Sequence, residues 1–398
     1  MPELTLQQVH ASLLAWCRQR NFAGYDPFDA LNSKLFQATP LKNSRIARLA
    51  WTQLAKRSPV NLRTVAKVPP EKNAKGIALF ALAALADFRR LKTTKAETDA
   101  RELLEILLSL RLKGRHGAAW GYNFDWQSRV LFAPRGTPTI VPTAFAARAL
   151  IEAHQAFGDQ KYLSEARGVC DFILNDLQRS HETDDEICFS YSPESQTRIY
   201  NASLFAGETL CCVGSLTGEK ELGQLALRAA RYVVKRQRQD GSWSYGEEPG
   251  QTWVDSFHTA FVLSSLDRVA RQCGAQDESR LSDALQRGYD FWRKSFFLAD
   301  GWPKYYHDSL YPADAHAAAT AIATLADLRK LDREALKFAE TIAHWSIQHL
   351  RDPRGFFYYQ QRRFNTVRTP FMRWTQSWML FALARLLEER ERASTDKP

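Results

Sequence analysis

Tyr232-Val233-Val234-Lys235-Arg236-Gln237-Arg238-Gln239-Asp240-Gly241-Ser242-Trp243-Ser244-Tyr245 is the stretch that decides the fold. It ends a helix, turns at a glycine and leaves through an aromatic loop. Upstream, Leu222, Leu225, Ala229, Tyr232 and Val233 make one apolar stripe, with charge on the opposite face, so the helix belongs on the outside of the molecule. The turn returns as Trp120-Gly121-Tyr122, Phe189-Ser190-Tyr191, Gly301-Trp302-Pro303-Lys304-Tyr305-Tyr306 and Gly355-Phe356-Phe357-Tyr358-Tyr359. Its spacing, about 54 to 70 residues, is that of a repeat architecture.

A second kind of helix alternates with the first. Segments 73–88, 143–156, 203–213, 256–269, 313–328 and 375–387 are apolar or small nearly all round, as in helices buried on most sides. Outer helices are expected near 5–20, 96–112, 160–178, 218–237, 278–294 and 333–349, and inner ones near 73–90, 140–157, 199–214, 253–271, 312–329 and 371–391. Links from inner to outer helix are short, and links from outer to inner are long and carry the aromatic motif. About six such pairs closing on themselves give an all-α (α/α)6 toroid with long aromatic loops at one end. An open α-solenoid is the competing architecture. One domain is expected over 1–392, with an extra helix near 44–56 and a disordered tail over 393–398.

The net charge is +10, spread along helices rather than gathered in a tail. No nucleic-acid motif accompanies it, so an anionic substrate or plain solubility accounts for it better than nucleic acid. The cysteines, Cys17, Cys170, Cys188, Cys211, Cys212 and Cys273, form no CxxC pair and read as buried free thiols. No metal site or cofactor is expected. Neither an export signal nor a membrane-spanning segment is apparent: the longest apolar run, 77–86, is far short of the ~20 residues a bilayer requires. A cytoplasmic location follows, with the periphery of the inner membrane as a second one.

The long loops direct attention to one rim. Aligning inner-helix starts puts Asn201, Asp255, Asp314 and Arg373 in register, with His258 one turn beyond Asp255, His316 two residues beyond Asp314 and Gln376 one turn beyond Arg373. A charged side chain entering an apolar helix is costly unless paired or facing a cavity. Asp255, His258, Asp314, His316 and Arg373 are therefore the candidate catalytic residues; N-capping is the alternative role for the aspartates. Tyr122, Tyr191, Tyr200, Asn201, Tyr245, Trp253, Tyr305, Tyr306 and Trp374 are the candidate substrate-binding residues, since aromatic faces beside polar groups suit a sugar ring. Paired acids would suit glycoside hydrolysis, and a histidine or tyrosine base would suit proton abstraction at C5 of a uronate.

Two resemblances bear on this reading. Gln237, Gln239, Asp240, Gly241 and Trp243 resemble the QW repeat of squalene–hopene cyclases and the related repeats of protein prenyltransferases, where the motif ties an α/α toroid together. The cyclase Asp-x-Asp-Asp is absent; Glu182-Thr183-Asp184-Asp185 is the nearest string. Tyr25-Asp26-Pro27-Phe28-Asp29-Ala30-Leu31-Asn32-Ser33, with Pro59-Val60-Asn61-Leu62-Arg63, is similar to bacterial squalene-cyclase-like proteins encoded with exopolysaccharide and O-antigen genes. That resemblance implies surface-polysaccharide biosynthesis and, as partners, an oligosaccharide or polysaccharide, lipid-linked in one version, and other proteins of polysaccharide synthesis. The expectation is an enzyme acting by acid–base chemistry on an anionic or lipid-linked oligosaccharide, as an epimerase, lyase or hydrolase. The alternatives are a non-catalytic glycan-binding or scaffold protein of the same pathway, and a terpenoid cyclase-like enzyme.

Overall fold

The computed structural model describes residues 4–113, 115–127, 132–273 and 277–395. Six outer helices alternate with six inner ones. The outer set is α1 (Leu6–Arg18), α6 (Thr94–Ser109), α8 (Gln160–Asn175), α10 (Lys220–Lys235), α12 (Glu278–Phe296) and α14 (Ala335–Leu350). The inner set is α5 (Ala74–Leu91), α7 (Ile140–Phe157), α9 (Tyr200–Thr217), α11 (Ser256–Cys273), α13 (Ala315–Asp327) and α15 (Ser377–Thr395). Between α1 and α5 lie α2 (Lys34–Gln37), α3 (Arg45–Arg57) and α4 (Leu62–Val65). Each inner helix packs on the next, and α15 returns onto α5, so the ring is closed and the open solenoid is excluded. The fold is the all-α toroid expected from the helix alternation.

Inner and outer helices differ as their sequences dictate. In α9, residues from Tyr200 to Gly214 are buried all round, whereas α10 buries only a stripe from Leu222 to Val234. Short inner-to-outer turns at Gly158 and Gly218 use left-handed glycines as helix C-caps. The long loops contain short antiparallel pairs: β1 (Trp126–Gln127) with β2 (Phe132–Ala133), β3 (Arg179–Glu182) with β4 (Ile187–Phe189), and β5 (Ala313–Asp314) with β6 (Gln360–Gln361) and then β7 (Thr366–Val367).

The QW-like stretch acts as a bolt. Trp243 donates its indole N–H to the Val233 carbonyl at 2.9 Å, and Gln237 donates to the carbonyls of Gly241 and Ala284, reaching α12. Gly241 has φ +89°, and a Cβ there would meet the Arg287 carbonyl oxygen at 2.5 Å. Only glycine combines that dihedral with that approach. The last motif glycine, Gly355, packs in the same way on α1, against Ser12, so the N-terminal helix completes the outer ring.

At the end of the inner ring away from the long loops, ion pairs link neighbouring helices all the way round. Arg89 pairs with Glu152 and Glu388, Arg148 with Glu208, Arg268 with Glu208 and Asp327, and Arg385 with Asp327. Glu208 and Glu388 are buried and the others partly so. They close the floor of the toroid.

Two expectations fail. Cys211 of α9 and Cys273 of α11 are joined in a disulfide rather than free, because adjacent inner helices bring them together; Cys17, Cys170, Cys188 and Cys212 are free and buried. Residues 393–395, expected in a disordered tail, continue α15 as helix, while 396–398 lie outside the described residues. No described helix is long and apolar enough to cross a membrane.

Candidate functional site

The long loops and the inner-helix N-termini enclose a cavity of about 650 Å³ that opens at the loop rim. Asn201, Asp255, His258, His316, Arg373, Tyr122, Tyr191, Tyr245, Trp253, Tyr305, Tyr306 and Trp374 all line it. They come from separate loops and four inner-helix starts, so the register read from the sequence converges in space.

Asp255 and His258 form a unit. One Asp255 oxygen accepts the His258 backbone N–H at 2.9 Å and caps α11. The other accepts His258 Nδ1–H at 2.7 Å and the Trp253 indole N–H at 2.9 Å. A carboxylate only accepts, so His258 carries its proton on Nδ1 and turns Nε2 to the cavity. Capping and positioning are therefore joint roles of one side chain.

His316 belongs to the next inner helix. Its Nδ1–H donates to the Trp374 carbonyl at 3.0 Å, and its ring stacks on the Trp374 indole with centroids 4.2 Å apart. Nε2 is then a lone-pair acceptor, buried and without a hydrogen-bond partner among the described residues. Burial, followed by the charges of Lys75 and Arg373, holds His316 well below the ordinary histidine range, so the ring is neutral. Phe257 separates the two imidazoles, with ring centroids 4.2 Å from His258 and 4.8 Å from His316. Asn201 Oδ1 is a second buried acceptor without a partner among the described residues.

Two of the expected site residues lie outside the cavity, and a third lines it as half of an ion pair. Asp314 does not line the cavity: it lies behind Trp374, accepts Trp374 Nε1–H and Gln360 Nε2–H, and caps α13 through the backbone N–H groups of His316 and Ala317. Burial pushes its carboxyl up to about 6. It supports the indole that carries His316 and does not touch the His316 ring. Tyr200 points away from the cavity toward Tyr232, because it begins α9 on the face turned to α10. Arg373 is not a free cation: Asp26 grips it through two hydrogen bonds, one of 2.8 Å. Gln376, in register with it, is spent on the backbone of Phe357.

Sequence reasoning missed two lysines. Lys75, in the first turn of α5, is 3% exposed, and its ammonium sits 4.4 Å from the Phe145 ring centroid and 5.1 Å from that of Phe261. Its Nζ makes no hydrogen bond or ion pair among the described residues, and the side chain lines the cavity. Burial, then the Arg373 charge, pulls it well below the usual lysine range. The available signal was a lone lysine in a helix otherwise apolar from Ala74 to Ala86. Lys56, from α3, lies 4.3 Å over the Phe28 ring, and burial lowers it to about 8. Lys56, Arg57 and Arg373 give the lining its positive charge, against one carboxylate, Asp255, among the described lining residues. Arg198, just before α9, pairs with Glu247 and Glu248 and does not line the cavity.

The remaining motifs have structural roles. Asp29 accepts from the buried Arg63, so the Tyr25–Asp29 turn and Arg63 form one strap that ends at the Asp26–Arg373 pair. Asp185 and Glu186 pair with Arg231, Lys235 and Arg236 of α10, which engages much of that helix's positive charge.

No family model matches the chain, and no curated protein matches it. Its structure is similar to cellobiose 2-epimerase from Bacillus thermoamylovorans, at 14% identity and a TM-score of 0.63, over 81% of this chain and 90% of that one. It is similar to a GH76 α-mannanase of Bacteroides thetaiotaomicron, at 12% identity and TM-score 0.64, over 83% and 90% of the two chains. An unsaturated glucuronyl hydrolase specific for heparin gives 15% identity and TM-score 0.57, over 80% and 86%. At these identities the likeness establishes a shared α/α-toroid fold, one that serves several carbohydrate-active enzymes.

Proposed function

We propose that this chain is a carbohydrate-active enzyme that moves a proton at a carbon of an anionic, uronate-type sugar, as an epimerase or lyase of bacterial surface-polysaccharide synthesis. The observation that carries this reading is the pair of imidazoles, His258 and His316, each donating Nδ1–H to a fixed acceptor and flanking Phe257 in an aromatic cavity. His258 Nε2 takes the proton, and Asp255 stabilises the charge that appears on the ring. His316 Nε2 and Asn201 Oδ1 accept sugar hydroxyls. Lys75 and Arg373 offset the charge of the enolate, whose formation is the difficult step.

Other features favour proton transfer over its competitors. Hydrolysis by paired acids needs two carboxyl groups facing one glycosidic bond; here Asp255 is committed to His258, and Asp314 lies behind an indole. Burial pushes the phenols of Tyr191, Tyr245 and Tyr305 above the usual tyrosine range, which makes them donors rather than bases. A cationic lining opposes a carbocation, so terpenoid cyclisation is disfavoured. The named activities of the fold's relatives, epimerisation and glycan cleavage, support a sugar as substrate.

The test is incubation with uronic-acid and neutral oligosaccharides in heavy water, read by mass spectrometry. Epimerisation should leave deuterium at the inverted carbon, whereas elimination should leave a new double bond and no deuterium at that carbon. Cleavage without deuterium and without unsaturation would replace this reading with hydrolysis.

A further inference from the structure

The rim beside the cavity is unusual in both charge and hydropathy. Segment 33–70 contains no aspartate or glutamate and eight lysines and arginines. Lys34, Lys42, Arg57 and Lys67 are exposed along it. The same segment exposes large apolar side chains: Ile46 is 78% exposed, Leu54 57%, Val60 67% and Val65 77%. On α3 the exposed Ile46, Ala50 and Leu54 recur every fourth residue and form an outward apolar stripe, while Thr52 and Ala55 face inward. Among the described residues none covers this stripe, and its own helix forms a wall of the cavity through Leu49, Gln53 and Lys56.

A second element repeats the pattern. The β6–β7 hairpin carries Phe364, 88% exposed, between Arg363 and Arg368, which are also exposed. No acidic residue occurs between Asp352 and Glu388. The base of the hairpin neighbours α4: Arg63 lies 4.5 Å over the ring of Phe371, four residues beyond β7.

We propose that this rim, made by segment 33–70 and the β6–β7 tip, docks on an anionic lipid bilayer. Apolar side chains on separate elements, each accompanied by cations and by no acid, match an interface that is apolar within and negatively charged at its surface. A folded acidic partner would satisfy the cations but would leave isolated apolar tips such as Phe364 uncovered. Docking by this rim brings the cavity mouth, at α3, beside the headgroups. A sugar carried on a membrane lipid then reaches the cavity without leaving the bilayer. The docking itself does not depend on the proton chemistry proposed above.

Flotation of the full chain with vesicles tests this. Vesicles of phosphatidylcholine with about 30 mol % phosphatidylglycerol should capture the protein, and vesicles of phosphatidylcholine alone should not. Binding should weaken at about 0.5 M salt. The triple variant Ile46→Ser, Leu54→Ser, Phe364→Ser touches only exposed side chains, so its circular dichroism and Tm should match the parent; its vesicle affinity should fall about tenfold or more. The charge variant Lys42→Glu, Lys67→Glu should lose affinity as well. Absence of capture by the anionic vesicles overturns the proposal. So does undiminished capture of the triple variant, which would leave charge alone at work, as would tighter binding to polyglutamate than to vesicles, which would point to an acidic protein.

Discussion

Asp255 caps α11 with one oxygen and holds His258 with the other, and substitution separates these roles. Asparagine still caps a helix but offers its amide N–H₂ to groups that are themselves donors. Asp255→Asn and His258→Ala should each lower kcat by ~10²-fold or more, with Tm nearly unchanged. Turnover on the identified substrate and melting curves, measured together, check this; full activity in both variants would remove the site. At Lys75 the expectation concerns binding. Among the described residues its Nζ has no carboxylate partner, whereas Arg373 has Asp26, and an anionic sugar would supply that counter-charge, so Lys75→Met should raise KM for an anionic sugar by about tenfold while a neutral sugar binds as before. Equal KM values for parent and variant would refute the role given to Lys75. Lys75 was hidden in the sequence because a lysine in a helix's first turn usually reaches water. Only closure of the inner ring over α5 denies it that.

At the scale of elements, the glycine-aromatic turn was legible because its constraints are local. Gly241 needs a positive φ, and its neighbour Trp243 needs an acceptor ten residues back in the same chain. Gly241→Ala adds left-handed strain and a contact with the Arg287 carbonyl, and should destabilise the fold by ~2 kcal/mol or more. Urea unfolding measures it; an unchanged midpoint would show that the α10–α12 joint yields freely. Inner-helix positions were legible for a similar reason, since burial on every side forces small and apolar residues along the whole helix. Asp314 shows the limit of register. It begins its helix as Asp255 does, yet Trp374 arrives from the helical turn that opens α15 and stands between it and the cavity.

For the whole molecule, the floor of ion pairs joins all six inner helices. Burial alone would raise the carboxyls of Glu208, Asp327 and Glu388, but the guanidinium groups of Arg148, Arg268, Arg385 and Arg89 outweigh it and hold them below the ordinary range. Groups depressed in the folded state stabilise it fully above the unfolded-state pKa, about 4, and lose that contribution as pH falls through the folded values. Unfolding should therefore steepen below pH ~4. Asp327→Asn leaves Arg385 and Arg268 short of a partner and should cost ~3 kcal/mol at neutral pH, with a weaker acid transition. Denaturant melts across pH test this, and a parallel shift at every pH would contradict the assignment.

The sequence by itself determined the helix order, the two kinds of helix, the turn motif and the end of the fold at which polar and aromatic residues gather. Each of these follows from periodicity or from constraints within a few residues. Tertiary structure alone decided which polar residues meet. It placed Asp26 on Arg373, set Lys75 among aromatic faces, put Asp314 behind an indole and joined Cys211 to Cys273. Those contacts join residues far apart in the chain. No local pattern encodes them, because the choice between a paired charge and a free one is made only when the ring closes.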